Sequence, residues 1–350
     1  MGKKKMGIVI IMFLLIIMLG TNDQIKSTML SVFNDTRSLK VIDEYSINLK
    51  DYNNIEVFDN NILGYNHNII GYYKLDGRKV WTRNIKKSKI YIFDKGIYII
   101  NDKIACLGLN NEYIWSVDNI NTDRTINMGK YIMVVTDNKK GSNIRIINNN
   151  GKEILNKDIE QRDILTANIS PKKDKIFIAT LDTSLEEIDS KLFTYDMKGN
   201  ILGEQTFKNQ IIEIIKPLLD RTIVLSDEKL SVVRDNKLLW NKNITGYVND
   251  IKIYNEKIYL LTYADNSLLN IMNLNGKTLK KVSVEKEYKN IENGEYVFLI
   301  GENHILAVDN GIEKIKYSLE EKILKTKIEN NDIIIITNND IKVTKVTNDK

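Results

Sequence analysis

One cysteine, two prolines, two histidines and three tryptophans in 350 residues leave this chain short of several chemistries. A lone thiol, Cys106, excludes an internal disulfide framework and any zinc site built from several thiolates. Its setting, Lys103-Ile-Ala-Cys-Leu-Gly-Leu, reads as a strand with a buried, inert thiol. His67 and His304 are isolated in sequence and read as surface or loop residues. Charge of one sign is also lacking. The formal net charge is +5, and Lys3, Lys4 and Lys5 supply three of those charges. The rest is near balance, with no basic run among aromatics, so no nucleic-acid partner is expected.

The residues that are abundant point to β structure. Hydrophobic residues make up 43% and charged residues 28%, the balance of a folded globular protein. Ile and Tyr favour strands, and Asn favours the tight turns between them.

The first twenty residues differ from the rest. Met1-Gly-Lys-Lys-Lys precedes an apolar run at 6–20, the pattern of a secretion signal or signal anchor. Those lysines stay on the cytoplasmic side, which sets the chain beyond the run outside the membrane. At 1.5 Å per residue the run spans about 22 Å, short of a ~30 Å hydrocarbon core, and the flanking polar residues narrow the gap. The end of the run, Met18-Leu-Gly-Thr21, is not an A-x-A cleavage site, and no cysteine follows for lipid attachment. An uncleaved single-pass anchor over 1–20 is therefore favoured over secretion after cleavage. Residues 21–43 read as a polar stalk with a short helix around 27–33.

From residue 44 one motif recurs: an alternating strand, a two-residue turn, then a short second strand. Its instances are Leu75-Asp-Gly-Arg-Lys-Val-Trp81, Leu109-Asn-Asn-Glu-Tyr-Ile-Trp115, Asn149-Asn-Gly-Lys-Glu-Ile-Leu155, Met197-Lys-Gly-Asn-Ile-Leu202, Arg234-Asp-Asn-Lys-Leu-Leu-Trp240, Leu274-Asn-Gly-Lys-Thr-Leu279 and Asp309-Asn-Gly-Ile-Glu-Lys-Ile315. Asp-Gly and Asn-Gly are strong hairpin signals, and they predict positive φ at both turn positions. The second turn residue falls at 77, 111, 151, 199, 236, 276 and 311, a mean period of 39. A period near 40 with several strands per repeat is the mark of propeller blades. Apolar spacing of two, as in Lys175-Ile-Phe-Ile-Ala-Thr180, excludes helical repeats. In the first repeat the spacing predicts strands A to D at 55–58, 62–65, 69–75 and 80–85. Runs apolar on both faces, such as Gly96-Ile-Tyr-Ile-Ile100, belong between packed sheets.

Trp81, Trp115 and Trp240 all open strand D, where an indole can cover the seam between blades. On these residues the chain resembles the PQQ-like (quinoprotein-type) propeller family, whose blades carry an Asp-Gly-Lys-x-x-Trp docking signature. Leu75-Asp-Gly-Arg-Lys-Val-Trp81 matches closely and Asp235-Asn-Lys-Leu-Leu-Trp240 loosely, while four repeats carry an aliphatic residue instead. The chain also resembles uncharacterised single-anchor extracytoplasmic propellers of Gram-positive bacteria. The family includes quinoprotein dehydrogenases, whose site implies a vicinal cysteine pair, a stacking tryptophan and calcium-binding acids. With one cysteine, and with the tryptophans used as fasteners, the resemblance carries the fold and not that chemistry.

The chain ends with strands A, B and C of a further blade, at 327–346. A candidate for the missing strand D is Glu44-Tyr-Ser-Ile-Asn-Leu49, which makes eight blades over 44–350 and removes an open edge. Seven blades is the alternative, if the repeat after 288 is not one. The expected architecture is thus an all-β, eight-bladed propeller of four-stranded antiparallel blades behind one transmembrane helix.

No catalytic, cofactor or metal constellation emerges. Gly276-Lys277-Thr278 ends like a phosphate loop, but Ile271 occupies the first glycine position and a hairpin follows. Ser170 and Lys173 have acyl-enzyme spacing without partner motifs. Asn119, Asn121 and Asp123 could open a calcium loop, yet Arg124 and Lys130 occupy its Gly and Glu positions. Tyr72 and Tyr73 read as strand packing. The loops to search first are Asp182–Ser190, with four carboxylates, and Asp137–Ser142, both on the face of the B–C and D–A connections. The expectation is a non-enzymatic membrane-tethered module that binds a protein or cell-envelope component outside the membrane. The alternative is an enzyme or small-ligand- or carbohydrate-binding propeller acting at the channel mouth, which converging carboxylates or histidines there would favour.

Overall fold

Every described strand lies in a four-stranded antiparallel sheet, and there are eight such sheets. The computed structural model describes residues 37–58, 61–93, 96–118, 123–160, 162–182, 188–329 and 332–348. The expected anchor at 1–20 and the stalk up to 36 lie outside these residues. Blades 1 to 7 occupy residues 54–84, 89–117, 124–160, 162–208, 212–243, 247–284 and 290–318. In blade 1 the strands are Asn54–Phe58, Asn61–Tyr65, Ile69–Lys74 and Lys79–Asn84, within one residue of the expected bounds. The weak repeat after 288 is a blade, with short strands Asn290–Asn293 and Val297–Ile300.

Blade 8 is composite. Strands Lys325–Glu329, Asp332–Ile336 and Asp340–Asn348 pair in order, and Arg37–Ser46 completes the sheet against the last of them. Arg37 faces Asn348 and Ser46 faces Asp340, with a bulge between Val41 and Asp43. A Lys342–Glu44 ion pair joins the two strands, and Ile47 N donates to Asn339 O at 2.7 Å. This outer strand starts at Arg37, not at Glu44 as expected. Most of its residues are exposed, so its first half carries no alternation to read.

The core is not one mass but eight hydrophobic clusters among the described residues, one at each seam between blades. Between blades 2 and 3, for example, Tyr98, Ile104 and Cys106 pack on Ile132, Val134 and Ile147. Strand Gly96–Ile100 is buried at all five positions, as its two-faced apolarity requires. Each fully buried Ile or Leu contributes roughly 1.5–3 kcal/mol relative to exposure. A sheet buried on both flanks in this way can satisfy every flank only by closing a ring.

The C–D turns fasten the seams. Trp81 Nε1 donates to Leu109 O (2.8 Å), Trp115 Nε1 to Asn149 O (2.8 Å) and Trp240 Nε1 to Leu274 O (3.0 Å). Each acceptor precedes the turn of the following blade. The indoles of Trp115 and Trp240 lie over Gly151 and Gly276, where an added Cβ would come within 2.8 Å of Cδ2. Four residues past the turn, the equivalent positions in blades 3, 4, 6 and 7 hold Leu155, Gly203, Lys280 and Ile315. The expectation of an aliphatic residue in all four therefore fails at Gly203 and Lys280. There Asn236 packs on Gly203, and the Lys280 stem packs on Gly311.

The turn chemistry also departs from expectation. Positive φ at both positions occurs at Asp235-Asn236 (+48°, +59°) and Asn310-Gly311 (+48°, +83°). The other five turns have it at the second position alone, as in Gly77 and Gly276 (+82° each). Those are three-residue hairpins in which a left-handed residue leads into a bulge. Pairing between strands C and D shifts by one residue beyond the turn in all seven blades.

Candidate functional site

Two places on the ring gather polar chemistry: the wall of the central channel and a cleft between blades 4 and 5. The wall is built by the innermost strands, most of which bury one or more apolar residues in a seam and turn a neighbour toward the axis side. In several blades that neighbour reaches the next blade's backbone. Tyr91 Oη donates to Thr125 O (3.0 Å), Asn168 Nδ2 to Ile215 O (2.9 Å) and Lys216 Nζ to Ile251 O. Asp250 Oδ2 accepts the Ile291 amide at 2.9 Å. These bonds stitch strand to strand around the inner wall.

Carboxylates do gather here, with lysines interleaved. Lys325 Nζ lies 2.8 Å from Glu56 Oε2, joining blades 8 and 1. Lys252 Nζ lies 4.0 Å from Asp250 Oδ2. Glu292, on blade 7 between them, makes no hydrogen bond or ion pair among the described residues. Burial raises its pKa above the ordinary 4.5, against the attraction of Lys252 and Lys325, while Asp250 and Glu56 raise it further. Burial likewise lowers the pKa of Lys216. Among the described residues no three His, Cys, Asp or Glu side chains are grouped to hold a metal ion. The wall is a mixed-charge lining, with each carboxylate near a lysine.

The residues picked out from sequence resolve mainly into structure. Gly276-Lys277-Thr278 is the blade 6 turn beneath Trp240. Ser170 Oγ donates to Asp174 Oδ1 (2.6 Å) and accepts the amides of Asp174 and Lys175, so it caps a turn. Lys173 occupies that turn at φ +59°. Asn119 and Asn121 lie outside the described residues, and Asp123 accepts the Asp137 amide (2.7 Å). Cys106, Tyr72 and Tyr73 are buried. His67 is exposed in a turn, its Nδ1 3.3 Å from Ser88 O. His304 instead opens a strand and is half-buried, edge-on to Tyr288 with centroids 4.7 Å apart; burial lowers its pKa.

Of the two loops to be searched first, Asp137–Ser142 spends its carboxylate internally. Asp137 Oδ1 accepts from Ser142 Oγ (2.6 Å) and Arg124 Nη2 (3.2 Å), and the Ser142 bond leads in lowering its pKa. In Asp182–Ser190, residues 183–187 lie outside the described residues. Asp189 is buried and accepts the Asn209 amide (3.0 Å), and Ser190 donates to Gln210 O (2.6 Å).

The cleft opens on the opposite face, that of the A–B and C–D turns. It encloses about 610 Å³ between blades 4 and 5. One wall is charged. Asp220 Oδ2 takes Arg221 Nη2 (2.8 Å) and also Arg234 Nη2, and the Arg221 hydrogen bond is the main cause of its pKa falling to about 2. Arg221 Nη1 reaches Leu274 O (3.2 Å), the carbonyl that Trp240 also uses. The other wall is apolar, from Pro171, Phe177, Leu202, Leu218, Leu219 and Val233. Leu219 is 71% exposed at the tip of the A–B turn, and Leu202 is 49% exposed. Sequence reading missed this site because its walls come from different repeats. The one available signal was Leu218-Leu219 in a turn.

No curated protein matches the chain in sequence. Solved structures share its fold at low identity. BamB from Moraxella catarrhalis has a TM-score of 0.60 at 13% identity, covering 89% of this chain and 99% of its own. The computationally designed Ika8 protein has 0.62 at 9%, covering 83% and 94%. Sqt1 from Saccharomyces cerevisiae has 0.60 at 8%, covering 89% and 98%. These likenesses speak for the propeller alone. One family's sequence description, "Family of unknown function (DUF5711)", matches residues 33–346.

Proposed function

This chain belongs to the family of unknown function DUF5711, and since membership brings no activity with it, we propose from its chemistry a membrane-tethered, extracytoplasmic propeller that docks a protein or cell-envelope partner without catalysing a reaction. One observation carries the reading. Large apolar side chains stand exposed just past the C–D turns of six blades: Val80, Tyr113 with Ile114, Ile201 with Leu202, Leu238 with Leu239, Leu279 and Ile312. Of these, Leu202 lines the cleft of blades 4 and 5 together with Leu219. Where such side chains adjoin a cleft with a charged wall, as Leu202 and Leu219 do, they offer a partner a surface to cover. The tether rests on the apolar run at 6–20 behind Lys3, Lys4 and Lys5. A rigid ring suits docking, because little ordering entropy is lost when it binds.

The channel carboxylates favour a second reading, an enzyme or a small-ligand or carbohydrate site at the channel mouth. In-cell photocrosslinking separates the two. A photoreactive residue at Leu219 is expected to give a discrete partner adduct, and one at Glu292 none. The reverse pattern would transfer the function to the channel. Protease added to intact cells tests the tether, since the propeller is expected to be accessible from outside.

A further inference from the structure

Resting on the docking reading, we infer that the cleft between blades 4 and 5 takes an extended peptide segment of the partner that carries an aliphatic side chain beside a carboxylate. Both halves of that chemistry are built into the walls. Leu202, Leu218, Leu219, Phe177 and Val233 offer an apolar slot, and the 71% exposure of Leu219 leaves its side chain largely in water until something covers it. Covering a leucine of that exposure favours binding by roughly tenfold.

Charge selects the second half. The lining holds four cations, Lys172, Lys175, Arg221 and Arg234, and three carboxylates, Asp174, Asp220 and Asp235. The carboxylates are largely committed: Asp174 accepts from Ser170 Oγ, and one Asp220 oxygen serves both guanidiniums. The cations are less so. Neither Lys172 nor Lys175 makes a direct ion pair among the described residues, though both lie near enough to stabilise ionised Asp174. Arg234 spends one terminal nitrogen on Asp220, its Nε is buried without an acceptor, and its side chain remains 40% exposed. A guanidinium that stays 40% exposed beside an apolar slot can attract a carboxylate through its exposed edge. Arg221 plays a different part. It is only 13% exposed and is anchored to blade 6 through Leu274 O, so it fixes Asp220 and, through it, Arg234.

The class of ligand follows from size. About 610 Å³ between the two blades has room for a few residues of chain, fewer than a stable helix needs. Peptide groups would lie along turns whose backbone is already hydrogen-bonded, which leaves side chains to supply specificity.

The test uses the full-length chain in detergent and three fluorescein-labelled hexapeptides: alternating leucine and aspartate, alternating leucine and lysine, and alternating alanine and aspartate. Fluorescence anisotropy is expected to show binding of the leucine–aspartate peptide at least tenfold tighter than either of the others. Leu219→Ser, at an exposed turn, and Arg234→Gln should each weaken it about tenfold, with Arg234→Lys recovering only part. Equal binding of all three peptides, or affinities unchanged in both variants, would overturn the inference. If a partner crosslinks at Leu219 in cells while no peptide shows this preference, the docking reading survives and the assigned ligand chemistry falls. If the peptide preference appears without any in-cell adduct, the site's chemistry holds and the docking reading falls.

Discussion

Replacing Gly276 by alanine would test the seam fastening most sharply, because two costs meet at one atom. The first is backbone strain: φ is +82°, where a Cβ costs about 1–2 kcal/mol. The second is the indole. The new methyl would lie 2.8 Å from Trp240 Cδ2 and 3.0 Å from Cε2, so the ring must move. Moving it breaks the 3.0 Å bond from Nε1 to Leu274 O, worth about 0.5–1.5 kcal/mol, along with part of the indole's packing. The total expected is about 2–4 kcal/mol. Gly129 supplies the control, with φ +70° and nothing within 4 Å of an added Cβ. Gly129→Ala should cost the backbone part alone, about 1–2 kcal/mol. Urea unfolding followed by tryptophan fluorescence gives both values. A cycle with Trp240→Ala should show that Gly276→Ala is cheaper once the indole is gone, by about 1–2 kcal/mol. Equal costs at Gly129 and Gly276, with no coupling to Trp240, would refute the reasoning.

The titratable groups make two further predictions. Burial raises the Glu292 pKa, so the folded state holds that proton more tightly than the unfolded chain. Stability therefore falls as pH rises from the ordinary carboxyl value through the raised one. Glu292→Gln should gain on the parent protein across that interval and differ little below it; thermal unfolding from pH 4 to 7 measures this, and a constant difference would count against a buried carboxyl. Burial also pushes the Cys106 thiol up to about 11 and leaves it with no exposed surface. A thiol reagent at pH 8 should find no reactive group in the native protein and one after denaturation; fast native labelling would contradict the burial of that strand.

Legibility followed the physics. The blades could be read because their C–D turns need particular residues, and because Trp81, Trp115 and Trp240 repeat at one offset from those turns. Strand bounds in blade 1 came within a residue because polar turn residues interrupt its apolar runs, two of which are buried almost throughout. The outer strand of blade 8 was read seven residues short, since Arg37–Ser46 is an edge strand with few buried positions. Turn type escaped because Asp-Gly and Asn-Gly serve both two-residue turns and three-residue turns with a bulge. The channel wall and the cleft escaped for another reason. Glu56, Glu292 and Lys325, like Leu202, Leu219 and Arg234, meet only once the ring has closed, and spacing within a repeat says nothing of what faces it from the next.

Ring closure by the two ends of the propeller is the claim on which the rest depends, and an engineered crosslink tests it directly. Lys40 and Lys345 are paired across the outer strands of blade 8. Cysteines at both positions, in a Cys106→Ser background, should form a disulfide rapidly under mild oxidation and shift the mobility of the denatured chain, since opposed Cβ atoms in such a ladder lie about 4.5–5.5 Å apart. Cysteines at Lys40 and Thr347, two residues out of register, should do so far more slowly. No disulfide at the paired positions, or equal rates for both pairs, would mean that the ring is not shut by these strands.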